Sequence, residues 1–209
     1  TMEGNMSENF ENIEENNEEL SMDMIRLLTI DDFCQLLSTP APVPGGGSVS
    51  AYVASLGAAL AGMVANLTSG KKKYAEYQDE IEDIIKAANI LRDDLMEGIS
   101  KDAESFLPLA GAYSLPANTE EEKRIKEKTL EELLVVAASA PLELIKKIIP
   151  AMEILERLTD IGTKLAISDV GTGLLLCDAA ATAAALNVYC NTKLMKNREL
   201  ANKMDEEAD

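Results

Sequence analysis

The chain has 209 residues, which is long enough for one domain or a tightly joined pair with a buried core. Apolar residues make up 46% and aromatic residues 4%, with 12 Gly and 7 Pro, a composition that favours helices over a loop-rich all-β chain. The net charge of −18, from 19 basic and 37 acidic residues, opposes binding to nucleic acid and to anionic membranes. The sequence contains no histidine, so imidazole catalysis and His-ligated zinc are excluded. An enzyme with this composition must move protons with Asp, Glu, Lys, Tyr or Cys.

The cysteines are widely spaced and form no Cys-x-x-Cys pair, so neither a zinc ribbon nor a disulfide framework is indicated. Small buried thiols in a reducing compartment are the simplest interpretation, and the expected location is cytoplasmic. The residues concerned are Cys34, Cys177 and Cys190.

The first 25 residues contain eight acidic and no basic side chains, which predicts a disordered acidic tail rather than a signal peptide. A short helix is predicted next, because Thr29 can cap it and Asp32 stands three residues later. Three prolines between residues 40 and 44 then predict an extended stretch.

A helix without charged residues is predicted from Ser48, as N-cap, to about Thr68. No charge occurs between Phe33 and Gly70, and three lysines follow, a pattern that resembles a membrane span with a basic flank. The many Ala, Gly and Ser residues favour instead a buried helix that packs closely against its neighbours. The sequence therefore predicts no membrane association.

Two long amphipathic segments come next. Apolar residues recur at steps of three and four over residues 81–99, which predicts a helix that continues toward Ala112, with Pro108 kinking or ending it. A capping box formed by Thr119 and Glu122 begins the following helix.

That helix is expected to kink at Pro141, after which its period continues to about Leu158. Ser168 can cap a last Ala-rich helix from Asp169 to about Thr192. No segment alternates convincingly with the period of a strand.

The predicted fold is all-α: a multi-helical bundle with two Ala-rich inner helices and long amphipathic outer helices. The helical domain is expected to span residues 26–195. It lies between the acidic tail of residues 1–25 and a charged C-terminal tail of residues 196–209.

Three glycines, Gly45, Gly46 and Gly47, precede Ser48 at a predicted helix start. Glycines let a ligand approach the backbone, and the free N–H groups of a helix N-terminus favour anions or carbonyl groups. A flexible hinge is the alternative interpretation, and spacing alone does not choose between the two.

The densest basic cluster of this acidic chain is Lys71, Lys72 and Lys73. Solvated lysines at a helix junction are the usual explanation of such a cluster. The functional alternative is a patch for the carboxylates of a small acidic substrate, which the overall charge would otherwise repel.

Several carboxylates lie in apolar surroundings. Asp102 stands three residues after Ile99, near the apolar face of its helix, and desolvation of such a group raises its pKa and makes it a candidate acid or base. Asp169 and Asp178 lie in an otherwise uncharged helix. Their alternative roles are to stabilise the helix start and to pair with a lysine, respectively.

Asn187 and Asn191 share one helix face and suit either a ligand or a neighbouring helix. Asp169 and Asn187 are 18 residues apart, or about 27 Å along a helix. One small ligand can contact both only if the helix bends or another subunit intervenes.

These positions together resemble the cyclodeaminase/cyclohydrolase family of folate enzymes. That family includes the C-terminal half of animal formimidoyltransferase-cyclodeaminase and stand-alone bacterial methenyltetrahydrofolate cyclohydrolases. Cys190 and Thr192 depart from the family pattern, in which Ile and Leu are usual. Landmarks that follow the family order between about residues 29 and 195 are Pro44-Gly45-Gly46-Gly47-Ser48-Val49, Met63-Val64, Thr68 with Gly70-Lys71-Lys72 and Tyr74, Asp102-Ala103 with Phe106, Leu115-Pro116, Pro141-Leu142, Ser168-Asp169, and Asn187-Val188 with Asn191.

The resemblance implies a dimeric all-helical enzyme that acts on the one-carbon unit bridging two nitrogens of tetrahydrofolate. It implies Asp102 as the catalytic acid/base and no metal or cofactor beyond the folate substrate. Lys71 and Lys72 are expected to meet the glutamate tail of the folate, which can be polyglutamylated. The residues implied to line the folate site are Gly45, Gly46, Gly47, Ser48, Lys71, Lys72, Asp169, Asn187 and Asn191.

Two reactions remain open under this resemblance. A cyclodeaminase releases ammonia from formimidoyltetrahydrofolate and forms 5,10-methenyltetrahydrofolate, and a cyclohydrolase converts the methenyl compound to 10-formyltetrahydrofolate. A single carboxyl group can serve either, by donating a proton to the leaving nitrogen or by deprotonating water. The alternative outside catalysis is a helical folate-binding or scaffold protein of the same fold.

Overall fold

The computed structural model describes residues 22–209, and most of them are helical. No strand occurs within this range, so the predicted all-α fold class is confirmed. Two short 3₁₀ helices, Lys72–Tyr77 and Lys164–Ala166, lie between α-helices. The α-helices are α1 (Met22–Ile25), α2 (Ile30–Leu37), α3 (Gly46–Thr68), α4 (Gln78–Ala112), α5 (Glu120–Ile161), α6 (Ile167–Thr192) and α7 (Arg198–Ala208).

Both predicted capping boxes place their helix starts correctly. The Asp32 backbone N–H donates to the Thr29 hydroxyl at the start of α2 (3.1 Å). At the start of α5 the Glu122 N–H donates to the Thr119 hydroxyl, and the Thr119 N–H donates to the Glu122 carboxylate. Each arrangement satisfies backbone donors that the first helical turn leaves without partners.

The predicted serine caps are wrong by three residues at Ser48 and by two at Ser168. Helix α3 begins at Gly46 with Gly45 as its N-cap, so Ser48 lies inside the helix. Helix α6 begins at Ile167, so Ser168 is also an internal residue. The Ser48 hydroxyl does not cap α3 but faces helix α4.

The long helices continue through their prolines. Helix α4 includes Pro108, and α5 includes Pro141 and Pro150. A proline removes one backbone hydrogen bond but leaves the neighbouring residues in register. Buried apolar side chains on both sides of Pro141 keep the same face of α5 against the core, so the helix does not end there.

Helix α3 is the innermost element and contacts α4, α5 and α6. Gly62 of α3 lies beside Ala88 of α4, and Ala51 of α3 lies beside Gly98 of α4, so the two helices are antiparallel. Small residues at these positions allow the close approach that the Ala-rich sequence predicts. The charge-free helix therefore supplies the centre of the core.

Helix α6 is the second Ala-rich helix, but it buries only one face. Both α3 and the segment Lys164–Thr192 are long and apolar enough to cross a membrane. The most apolar stretch of α3 is 61% buried inside the bundle, whereas that of Lys164–Thr192 is 28% buried. Helix α3 is therefore a core helix, whereas the outward face of α6 is not covered by other described residues.

The cysteine prediction is correct at one position. Cys177 is buried between α6 and α3, and burial raises the pKa of its thiol to about 11. Cys34 and Cys190 are exposed, because each lies on the outward side of its amphipathic helix. The expectation of three buried thiols is therefore wrong for these two.

Both segments predicted as tails contain helical residues within the described range. The predicted disorder of residues 1–21 lies outside the described residues, whereas Met22–Ile25 is helical and Ile25 is buried. The predicted C-terminal tail, residues 196–209, contains α7, whose Ala201 and Met204 are buried against the bundle. Ala201 and Met204, three positions apart, share one face of α7, and the Arg198 guanidinium also donates to the Thr192 carbonyl oxygen.

Candidate active site

The N-terminus of α3 meets α4 at Asp102. The Ser48 hydroxyl lies 2.8 Å from Oδ2 of Asp102 and 3.2 Å from the Ile99 carbonyl oxygen. A Cβ atom at Gly47 would overlap the Asp102 carboxylate, so only glycine permits this approach. The glycine and the serine of the predicted motif therefore position one carboxyl group at a helix N-terminus.

The environment of Asp102 favours the protonated form. Burial raises the pKa of its carboxyl group, and hydrogen bonds from the Ser48 hydroxyl and backbone N–H lower it by less. A carboxyl group whose pKa is raised in this way is a better proton donor at a given pH than an ordinary carboxylate, because more of it carries the proton. This is the acid/base property that the sequence predicted for Asp102.

Asp102 lines a small pocket between α4 and α5, with Gly47 of α3 also in its lining. The remaining lining residues are Gly98 and Lys101 of α4 and Ala140, Pro141, Glu143, Leu144 and Lys147 of α5.

The two asparagines lie at the same end of the bundle but differ in role. The Asn187 side chain lies about 3.5 Å from the position that a Cβ of Gly46 would occupy, so it faces the glycine loop. The Asn191 amide donates to the Ala137 carbonyl oxygen of α5 (3.2 Å) and to the Asn187 carbonyl oxygen (3.0 Å). Asn191 therefore joins α6 to α5, which is the helix-packing alternative left open by the sequence.

The predicted lysines lie at the opposite end of α3. This helix has 23 residues and is about 35 Å long. Beyond its C-terminus, the Lys71 ammonium donates to the Thr163 hydroxyl (3.2 Å), and the Thr163 N–H donates to the Thr68 hydroxyl (2.9 Å). Lys72 is exposed nearby. Neither lysine reaches Asp102 within one subunit.

Asp169 also lies far from Asp102. It occupies the first turn of α6, 18 residues before Asn187, or about 27 Å away along the helix. The structure thus brings Gly45–Ser48, Asp102 and Asn187 together and separates Lys71, Lys72 and Asp169 from them.

No group of three His, Cys, Asp or Glu side chains that could hold a metal ion occurs within residues 22–209. The polar groups at the Asp102 pocket are the carboxyl groups of Asp102 and Glu143, the Ser48 hydroxyl that contacts Asp102, and the side chains of Lys101 and Lys147. Such a set suits proton transfer to and from a bound organic molecule.

The sequence matches the profile of the formiminotransferase-cyclodeaminase family over residues 29–209. The chain belongs to this family. The family resemblance predicted from the ordered landmarks is therefore confirmed.

Individual relatives extend this result. The chain is 38% identical over 173 residues to a methenyltetrahydrofolate cyclohydrolase of Methylorubrum extorquens, covering 83% of each chain. It is 31% identical over 163 residues to the formimidoyltransferase-cyclodeaminase of Rattus norvegicus, covering 78% of this chain and 30% of that one. The crystal structure of a formiminotetrahydrofolate cyclodeaminase from Thermotoga maritima superposes with a TM-score of 0.77 and 32% identity, covering 87% of this chain and 86% of that one.

Two pocket residues were missed by reasoning from the sequence. Lys101 and Lys147 line the Asp102 pocket, but within an amphipathic helix their spacing is that of ordinary solvated lysines. The position of Lys101 next to Asp102 is the only sequence signal that pointed to it. Nothing in the sequence indicated that Lys147, which is 45 residues after Asp102, lines the same pocket.

Proposed function

We propose that this protein acts on the carbon that bridges two nitrogens of tetrahydrofolate, with Asp102 as general acid/base. The observation that carries the proposal is the Asp102 carboxyl group, desolvated in a pocket and held by Ser48 at the N-terminus of α3. Membership of the folate cyclodeaminase/cyclohydrolase family supports it.

The first candidate reaction is hydrolysis of 5,10-methenyltetrahydrofolate, favoured by the 38% identity to a cyclohydrolase over most of both chains. The Asp102 carboxylate removes a proton as water adds to the methenyl carbon. The resulting carboxylic acid donates that proton to one folate nitrogen as its bond to carbon breaks. The products are 10-formyltetrahydrofolate and one released proton.

The second candidate is the cyclodeaminase reaction, favoured by the structural similarity to the Thermotoga maritima enzyme. One folate nitrogen attacks the carbon of the protonated formimidoyl group, whose own nitrogen becomes a neutral amino group, and the attacking nitrogen loses its proton to Asp102. The carboxylic acid then protonates the amino group of the tetrahedral intermediate, which leaves as ammonia. A raised pKa for Asp102 serves this second step, because the acid form must be present when ammonia departs.

The two reactions also predict opposite pH dependence. A hydrolase that starts from the carboxylate loses rate as the pH falls through the Asp102 pKa. A deaminase limited by protonation of the leaving amine loses rate as the pH rises through it.

A paired assay of the pure protein tests the proposal. The methenyl chromophore is followed with formimidoyltetrahydrofolate and with methenyltetrahydrofolate, each against its uncatalysed control. Chromophore formation with ammonia release identifies a deaminase, and chromophore loss from the second substrate alone identifies a hydrolase. Folate binding without either reaction would support the non-catalytic alternative, which one observation favours: Lys71 and Lys72 lie outside the Asp102 pocket.

The proposal includes a homodimer, and α6 offers the surface for it. Exposed, uncharged residues recur along its outward face at alternating steps of four and three, which is the spacing of a helix–helix seam. Leu175 and Leu186 are 72% and 59% exposed. Contact of these apolar side chains with water is unfavourable, and a partner helix packed on them would remove it. The α6 seam consists of Ser168, Thr172, Leu175, Ala179, Thr182 and Leu186.

A twofold antiparallel pairing about Ala179 would also join the separated site residues. In such a pairing, residues equally distant from Ala179 face each other, so Asp169 of the partner subunit stands opposite Tyr189, between Asn187 and Asn191. Lys71 and Lys72 lie near the N-terminal end of α6, which is also the end that carries Asp169. They come close to Asp102 only if two subunits pair through α6 in this antiparallel arrangement.

The dimer is tested by its mass in solution. Leu186→Glu places a charge in the seam and should shift the sedimenting species from dimer to monomer, whereas Ile90→Glu changes an equally exposed residue of α4 and should leave it unchanged. A monomeric wild-type protein would contradict the pairing. Partition of the wild type into detergent would assign the apolar face of α6 to a membrane instead.

The remaining expectations stay predictions. The cytoplasmic location rests on the free state of Cys34, Cys177 and Cys190. No cofactor beyond tetrahydrofolate enters the proposed chemistry.

A further inference from the structure

The Ser48 hydroxyl lies between two acceptors on α4. Its oxygen is 2.8 Å from Oδ2 of Asp102 and 3.2 Å from the Ile99 carbonyl oxygen, and Ser48 is buried. A hydroxyl group carries one proton, so it donates to only one of these acceptors at a time. The shorter distance is the one to Asp102, and a bond to an ionised carboxylate is also the stronger of the two.

The hydroxyl can bond to Asp102 in two ways. When it donates to Oδ2, that oxygen is an acceptor, and a proton carried by the carboxyl group is on Oδ1. When it donates to Ile99 instead, it can accept a hydrogen bond from a protonated Oδ2, and the proton is then held between two side chains. The hydrogen bond that Ser48 makes therefore decides which oxygen of Asp102 carries the exchangeable proton.

The two oxygens of Asp102 have different surroundings. Oδ1 is the carboxyl atom nearest to the position that a Cβ of Gly47 would occupy, and both Gly47 and Asp102 line the pocket. Within residues 22–209, no side chain donates a hydrogen bond to Oδ1, whereas Oδ2 faces the buried hydroxyl. Oδ1 is thus the oxygen that a substrate can reach beside the glycine.

Charged side chains do not distinguish the two oxygens. Helix α3 carries no charge, and the other charged residues that line the pocket are Lys101 on α4 and Glu143 and Lys147 on α5. Within the described part of the chain, the pKa of Asp102 is shifted by burial and by the hydrogen bonds of Ser48, and by no charged group. The orientation of the proton therefore depends on Ser48.

We propose that Ser48 is a positioning residue for proton transfer: its hydroxyl holds Oδ2 as an acceptor and so keeps the exchangeable proton of Asp102 on Oδ1, beside Gly47. This inference rests on the proposed function. It gives Ser48 a role that is exerted through Asp102, rather than the direct contact with folate that the family resemblance implies. Both candidate reactions need this arrangement, because each moves a proton to and from one carboxyl oxygen.

Steady-state kinetics over a range of pH test the assignment. Ser48→Ala should lower kcat about tenfold, leave KM unchanged and move the pH profile to higher pH, because the carboxylate loses a donor. In a hydrolase the acidic limb of the profile moves, and in a deaminase the basic limb moves in the same direction.

Ser55→Ala is the matched control. Ser55 is also a buried residue of α3, and its hydroxyl bonds to the Tyr52 carbonyl oxygen (2.7 Å) and lies 3.2 Å from Sδ of Met96 on α4. The substitution removes a buried hydroxyl between the same two helices without touching Asp102. It should change neither kcat nor the pH profile.

A second substitution at Ser48 keeps the test valid if the alanine variant does not fold. Ser48→Cys nearly preserves the size of the side chain but replaces the hydroxyl with a weak donor. Its kcat and pH profile should lie between those of wild type and those expected for Ser48→Ala. Melting temperatures establish which variants are folded.

A double-mutant cycle tests whether Ser48 acts through Asp102. In Asp102→Asn there is no carboxyl proton to position, so adding Ser48→Ala should lower kcat no further. Independent losses that multiply would show that Ser48 contacts the substrate itself and would overturn the proposal. A raised KM with an unchanged pH profile would also overturn it, and identical kinetics of Ser48→Ala and Ser55→Ala would leave Ser48 only a packing role.

A measurement without substrate separates this inference from the proposed function. The Asp102 carboxyl carbon, labelled with carbon-13 and assigned by its absence in Asp102→Asn, is titrated by NMR in wild type and in both serine-to-alanine variants. The midpoint should rise in Ser48→Ala and stay unchanged in Ser55→Ala. If the wild type turns over neither folate, the proposed function fails and this titration alone tests the inference, which an unchanged midpoint in Ser48→Ala would overturn.

Discussion

The two ends of α3 contact similar kinds of polar residue, but they use them differently. At the N-terminal end a glycine and a serine hold the Asp102 carboxyl group beside a pocket. At the C-terminal end Thr68, Thr163 and Lys71 bond to one another and secure the turn that leads into α6. A Gly–Ser motif and a Thr–Lys motif that are equally prominent in the sequence thus have different consequences. The first places a carboxyl group at a pocket, and the second mainly joins the ends of two helices.

The largest expected effect is on catalysis at the N-terminal end. Asp102→Asn should lower kcat by about 10²- to 10⁴-fold, because it removes proton transfer and keeps the shape of the side chain. Folate affinity should change little. Turnover by the variant within a few-fold of wild type would show that the carboxyl group is not the acid/base.

A slightly smaller effect is expected at Gly47. Gly47→Ala should lower kcat by about a hundredfold and destabilise the fold by about 1–3 kcal/mol, since the new methyl group must displace the Asp102 carboxylate. Gly111→Ala is the matched control, because a Cβ there meets no atom within 4 Å. Equal behaviour of the two variants in kinetics and chemical denaturation would refute the tight contact.

The C-terminal end should respond in stability rather than activity. Thr68→Val keeps the side-chain shape but leaves the buried Thr163 N–H without its acceptor, so we expect a loss of about 1–3 kcal/mol in the free energy of unfolding. Thr159→Val should cost less, because that hydroxyl bonds only to the Glu156 carbonyl oxygen of its own helix. A large fall in kcat for folded Thr68→Val would make both ends of α3 parts of one site.

The smallest effect concerns the pH dependence of stability. Burial raises the pKa of Asp102 above its unfolded value, so ionisation costs the folded state more than the unfolded state. The stability of wild type relative to Asp102→Asn should therefore be greatest below the unfolded pKa and should decline as the pH rises through the folded pKa. Urea denaturation of both proteins between about pH 3 and pH 7 measures this difference, and an opposite slope would mean that the Ser48 hydrogen bonds outweigh burial.

Local signals in the sequence predicted local structure well. Thr29 and the Thr119–Glu122 pair mark helix starts, since the donors and acceptors of a capping box lie within one helical turn. The position of Asp102 near the apolar face of α4 likewise follows from its spacing after Ile99. Helix α5 continues through Pro141 and Pro150, because core packing on both sides offsets the local cost of a missing hydrogen bond.

Composition was a weaker guide where the environment of a helix matters. The sequences of α3 and α6 are alike in small apolar residues, yet α3 is covered on several sides and α6 on one. The charged segment after residue 195 contains α7, because Ala201 and Met204 find a surface that the sequence does not display. The composition also predicts that Cys34 and Cys190 are buried, because free thiols usually are. Both are exposed, because the sequence does not show which side of each helix faces the core.

The sequence by itself determined the fold class, the family and the position of the partly buried Asp102 carboxylate near the apolar face of its helix. Each depends on periodicity or on the order of short motifs, and both are properties of neighbouring residues. The tertiary structure decided which of the predicted site residues meet. It brought Gly47, Asp102 and Lys147 to one pocket and left Lys71 and Asp169 about a helix length away. The physical reason is that a rigid helix fixes distances along its axis, while its contacts with other helices depend on packing across the whole core.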